Sequence, residues 1–182
     1  MDMQEMIRRF EYMEKRLSAL EDIEEIKRLQ TTYVNFLQEG NYNTIEDFFT
    51  EDALFTAGPT HKGKKAIGKY FREVMVNIHS GKEGDILVQP VIDLDGDKAT
   101  GKWVIYFLYY HPKTYQLLYF VHSYYDMGYL KVDGKWKISR INILHNIEPP
   151  GGPPSEDTFL NFLDKAQKTM QEIKIGTPII NK

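Results

Sequence analysis

Apolar residues recur every three or four positions from the start of the chain: Met6, Phe10, Met13, Leu17 and Leu20, then Ile23, Ile26, Leu29, Tyr33 and Phe36. This is the stripe of an amphipathic helix. It predicts two helices or one kinked helix, because Asp22 and Glu25 have the spacing of a capping box and place a break near 20–22. Gly40 supplies the stop. Asn43 with Glu46 repeats the start signal for a short helix carrying Ile45, Phe48 and Phe49. A strand over 53–57 then ends at Gly58-Pro59, and Ile67, Tyr70, Phe71, Val74 and Ile78 form one face of a helix within 63–78.

Beyond Gly84 the period falls from about 3.6 to two. Asp95-Gly96 and Asp133-Gly134 are tight-turn dipeptides, and they divide the remainder into strands over 85–94, 97–110, 117–132 and 135–147. Helices followed by a long antiparallel meander predict an α+β domain. Pro149, Pro150, Gly151, Gly152, Pro153 and Pro154 form a linker that neither helix nor sheet absorbs. Ser155 then caps a last helix with Phe159, Phe162, Leu163, Ala166 and Met170 at helical spacing, read either as packing on its own or a neighbouring subunit or as a lid. The expected division is a helical extension over 1–21, a domain over 22–148, and a linker with a C-terminal helix over 149–182.

The 182 residues carry 23 Lys+Arg against 26 Asp+Glu, a net charge of −3 with no dense basic block. That balance argues against nucleic-acid and anionic-membrane partners and favours a small-molecule ligand. The chain has no cysteine, which excludes disulfides, thiolate metal sites and thiol nucleophiles. Its longest apolar or aromatic run, 103–110, is far short of the ~18 residues a spanning helix requires. With no basic, apolar leader at its start, the chain reads as cytoplasmic. The five histidines never take ligand spacing and no phosphate loop or dinucleotide fingerprint occurs, so neither a metal nor a cofactor is expected.

Tyrosine is the feature that points to chemistry. Eight of the twelve tyrosines fall between Tyr106 and Tyr129, beside Phe107, Phe120 and His122. Aromatic residues favour pleated, half-buried strands, which accounts for most of them. Hydroxyls in an apolar wall are also what a pocket for an oxygenated small molecule uses. Alternation sets His122 on one sheet face and Tyr125 on the other, with one face lining any cavity.

The run from Ile23 through Leu29, Tyr33, Leu37, Gly40, Ile45, Phe49, Asp52-Ala53 and Phe55, then Gly63, Ala66-Ile67 and Phe71, resembles the first half of the SnoaL-like group. Pro90-Val91-Ile92, Asp95-Gly96-Asp97, residues 99–103 and residues 133–138 resemble its second half. The group belongs to the nuclear-transport-factor-like superfamily, with polyketide cyclases, scytalone dehydratase and bile acid 7α-dehydratase. Across roughly 15–148 the resemblance implies a conical α+β barrel, a bent antiparallel sheet packed on N-terminal helices, here with an extra C-terminal helix. It also implies a homodimer or homotrimer built on the outer sheet face.

The family's dehydratases use a His and Asp pair with tyrosines inside the cone. Tyr33 matches the helix tyrosine of the bile acid dehydratase, while Gln38 stands for its helix aspartate, Asp85 for its histidine, Phe107 for its strand aspartate and His145 for its arginine. The resemblance therefore implies a rearranged catalytic set, with Asp85 and His145 as base and orienter and Tyr33 as hydrogen-bond donor. Gln38, Phe107, Tyr125 and His122 are the expected substrate contacts. Elimination beside a carbonyl requires one basic and one donating group, and side chains supply both. The expected function is a cofactor-independent, dehydratase-like lyase or related acid/base enzyme acting on a small apolar oxygenated ring compound. The alternative is a non-catalytic small-molecule-binding or scaffold protein that kept the cone.

Overall fold

The computed structural model describes residues 2–76, 84–110 and 117–147, without the side chains of residues 89, 109–110, 117–120 and 145–147. The expected helix within 149–182 and the end of the helix expected over 63–78 lie outside these residues. Helix α1 (Met3–Gln38) is followed by a 3-10 turn (Ile45–Phe48), strands β1 (Phe49–Thr56) and β2 (Thr60–Lys62), helix α2 (Lys64–Tyr70) with a π turn (Phe71–Met75), and strands β3 (Ile86–Asp95), β4 (Lys98–Tyr110), β5 (Leu117–Val132) and β6 (Lys135–Ile147). Among the described residues, six strands form one mixed sheet in the order β2-β1-β6-β5-β4-β3. The α+β fold expected from the periodicity is the fold observed.

Helix α1 does not break at 20–22. Asp2 caps its start by accepting from the Glu5 amide at 2.7 Å, and the helix runs unbroken for 36 residues. Asp22 makes no cap. Its Oδ1 accepts from Lys131 Nζ at 2.6 Å and from Trp136 Nε1 at 2.8 Å, so tertiary partners claim the carboxylate that local spacing assigned to a helix start. Asp133 and Gly134 both have positive φ, 50° and 73°, as a two-residue type I′ hairpin requires. The sheet also departs from a pure meander: β1 runs parallel to β6, with Phe55 opposite Ile141, and the short β2 pairs on its outer edge.

Alternation decides which sheet face is inside. Trp103, Ile105 and Phe107 on β4, Ser123, Tyr125, Met127 and Tyr129 on β5, and Trp136, Ile138 and Ile141 on β6 are buried. They face the inner side of α1, where Ile26, Gln30, Tyr33, Val34 and Leu37 are buried. Pro90 sits in β3 at the sheet's edge, where its missing N–H costs no ladder bond, and the β3–β4 register shifts between Val88 and Val91. No described helix is long and apolar enough to cross a membrane.

Candidate functional site

Helix α1 lies across the concave face of the sheet and is tied to it at three levels. Asp22 reaches β5 and β6 through Lys131 and Trp136, Gln30 meets the middle of β5, and Gln38 Nε2 donates to the backbone carbonyl of Asp85 at 3.2 Å. The middle tie is a buried relay. Trp103 Nε1 donates to the Tyr129 hydroxyl at 2.9 Å, and that hydroxyl donates to Gln30 Oε1 at 2.9 Å. Burial pushes the Tyr129 phenol well above its ordinary value, so it stays protonated and keeps its donor. Gly101 makes the relay sterically possible, because a Cβ there would lie 3.0 Å from the Tyr129 ring and 3.2 Å from Trp103 Nε1.

With its oxygen engaged, Gln30 presents a buried Nε2 that has no hydrogen-bond partner among the described residues. One turn along the same face, the fully buried Tyr33 hydroxyl has none either. The Tyr33 ring is held edge-on by Phe48 and Phe49, with centroids at 5.6 and 5.8 Å. Burial raises its phenol well above the ordinary value, and the acidic groups of Tyr42, Asp85 and Tyr70 add to the shift. Tyr33 is therefore a neutral donor, with Asp85 among its electrostatic neighbours, and both Asp85 carboxylate oxygens are shielded from solvent. Nε2 of His61, on β2, is likewise buried without a hydrogen-bond partner among the described residues, and the His61 ring stacks on Tyr70 at 4.1 Å.

Tyr33, Asp85 and Gln38 thus gather at one end of α1. Phe107 and Tyr125 lie on the inner wall with ring centroids 6.1 Å apart. His122 is not with them: it stacks on Tyr106 at 5.0 Å and meets Tyr124 edge-on, on the face opposite Tyr125. His145 holds the β6 position paired with Ser123, and its side chain lies outside the described residues. The relay of Gln30, Trp103 and Tyr129 escaped the sequence reading. One signal was available: Gln30 is a polar residue four positions after Ile26 and three before Tyr33, on the same helix face as both.

A SnoaL-like domain model matches residues 18–142. The chain belongs to the SnoaL-like family. No curated protein matches it. Among solved structures it is similar to a hexachlorocyclohexane dehydrochlorinase, LinA type 2, at 19% identity and TM-score 0.64, covering 75% of this chain and 99% of that one. A Novosphingobium aromaticivorans protein named as a scytalone dehydratase aligns at 16% identity and TM-score 0.60, covering 76% and 95%. An NTF2-like protein with a cystatin-like fold from the same organism aligns at 20% identity and TM-score 0.63, covering 81% and 94%. At these identities the SnoaL-like chain shares their fold, and its chemistry rests on its own residues.

Proposed function

We propose that this SnoaL-like chain binds a small, largely apolar ring compound bearing oxygen inside the cone and acts on it as a cofactor-independent, dehydratase-like lyase. The observation that carries this reading is the pair of buried donors, Tyr33 Oη and Gln30 Nε2, one turn apart on α1 and both without a protein partner among the described residues. A buried donor left unpaired costs about 1–3 kcal/mol. Such a cost is offset when a ligand oxygen accepts both bonds. The dehydrochlorinase and scytalone dehydratase names of similar folds support an elimination on a ring substrate.

In this reaction Asp85 takes the proton from the carbon beside the carbonyl. Tyr33, neutral and buried, donates to the carbonyl oxygen as negative charge develops there. The departing hydroxyl leaves as water with a proton returned through the Asp85 and His145 pair, and His145 orients the carboxylate. Phe107 and Tyr125 pack against the apolar part of the ring.

A second reading, a binding protein without turnover, is favoured by Gln38. This residue stands where the resemblance expects an aspartate, and it spends its amide on the Asp85 carbonyl. Proton abstraction separates the two. With 2-tetralone in deuterated buffer, the lyase reading expects the protein to accelerate exchange at the carbon beside the ketone. Asp85→Asn should slow that exchange on the order of 10²-fold and Tyr33→Phe on the order of tenfold. Quenching of tryptophan fluorescence without exchange would favour the binding reading, and neither signal from a panel of oxygenated bicyclic compounds would overturn both.

A further inference from the structure

The N-terminal half of α1 carries a second apolar stripe that stays exposed among the described residues. Met3, Met6, Phe10, Met13, Leu17 and Leu20 are each between 42% and 68% exposed. Their spacing is a strict alternation of three and four residues, the a and d positions of a heptad, with Met3, Phe10 and Leu17 at a and Met6, Met13 and Leu20 at d. At about 100° of turn per residue this stripe lies roughly 150° around the helix axis from the buried face of Ile26, Gln30, Tyr33, Val34 and Leu37. A continuous helix cannot turn both faces to the same sheet. An extension of this length is marginal in water alone, and helices of this kind draw their stability from burying the apolar face.

The charges beside the stripe identify the occupant. The g positions are Arg9 and Arg16, and the e positions one heptad on are Glu14 and Glu21. In a parallel, in-register pair each g residue meets the following e residue of the other helix. Arg9 then faces Glu14 of a second copy, and Arg16 faces its Glu21, twice over by symmetry. An antiparallel pair sets arginine against arginine and glutamate against glutamate. The Arg9 bond to Glu5 at 3.0 Å is between exposed groups and is exchanged at little cost. Over residues 2–22 six acidic side chains outnumber four basic ones, which disfavours an anionic membrane surface as the occupant.

We propose that the N-terminal half of α1 pairs with the same segment of a second copy of this chain as a parallel two-stranded coiled coil. The absence of cysteine makes a direct test available. In the full chain, Leu20→Cys places thiols opposite each other in the parallel pair and about 25 Å apart along the axis in the antiparallel one, beyond disulfide reach. The expected result under mild oxidation is a covalent dimer. Adding Arg9→Glu with Arg16→Glu should abolish it, as should Glu14→Lys with Glu21→Lys, and mixing the two charge variants should restore cross-linking as mixed dimers. A Leu20→Cys chain that stays a monomer at tens of micromolar, or one that cross-links equally well with either charge variant, overturns the proposal.

Discussion

The hydroxyl of Tyr129, in the middle of β5, donates to Oε1 of Gln30, in the middle of α1, across 2.9 Å and 99 residues of sequence. This bond aligns the helix over the concave sheet and leaves the buried Gln30 amide nitrogen without a partner among the described residues. Tyr129→Phe strands Trp103 Nε1 and Gln30 Oε1 together, so it is expected to cost about 1–3 kcal/mol in urea unfolding. Because Gln30 and Tyr129 act through one network, Gln30→Leu combined with Tyr129→Phe should cost less than the sum of the two single changes.

Tyr33→Phe should have the opposite signature. Removing a buried hydroxyl that has no partner among the described residues is expected to leave stability unchanged or raise it by up to about 1 kcal/mol, while exchange or binding in the cone weakens. Equilibrium unfolding beside the 2-tetralone assay reads both effects. A loss of stability beyond 1 kcal/mol, which is the scale of a net hydrogen bond, would mean that the hydroxyl serves the fold.

Gly101→Ala sets a methyl against the Tyr129 ring at 3.0 Å and Trp103 Nε1 at 3.2 Å, in the interior of two packed strands. Both rings are buried and joined by the Trp103 to Tyr129 hydrogen bond, so a shift of either strains the relay. The expected cost is about 1–3 kcal/mol, each kcal/mol lowering Tm by roughly 2–4 °C in a chain of this size. Thermal unfolding followed by circular dichroism measures it.

Burial alone would push the Asp22 carboxyl up, yet hydrogen bonds from Lys131 and Trp136 and the charge of Lys131 outweigh it and hold the group below its ordinary 3.8. A lowered carboxyl contributes stability that is complete above the unfolded value and is lost as pH falls through the folded one. Asp22→Asn should therefore be less stable than the natural chain at pH 6. Their Tm values should converge as pH falls below about 4, and a gap that persists unchanged to pH 2.5 would count against the ion pair.

What the sequence determined by itself was local. The hairpin at Asp133-Gly134 and the bounds of β5 and β6 follow from turn dipeptides and a period of two, both written within a few neighbouring residues. Alternation likewise required His122 and Tyr125 to face opposite ways. Which of them lines the cone was decided only when α1 closed over the Tyr125 face. The same holds for Asp22, whose spacing to Glu25 reads as a helix start until Lys131 and Trp136, 109 and 114 residues away, are brought to its carboxylate. The parallel pairing of β1 with β6 and the relay from Trp103 to Gln30 are of this kind too. A backbone turn is stabilised by its own residues, whereas a buried polar side chain takes the partner that the rest of the fold sets opposite it, and only tertiary structure makes that choice.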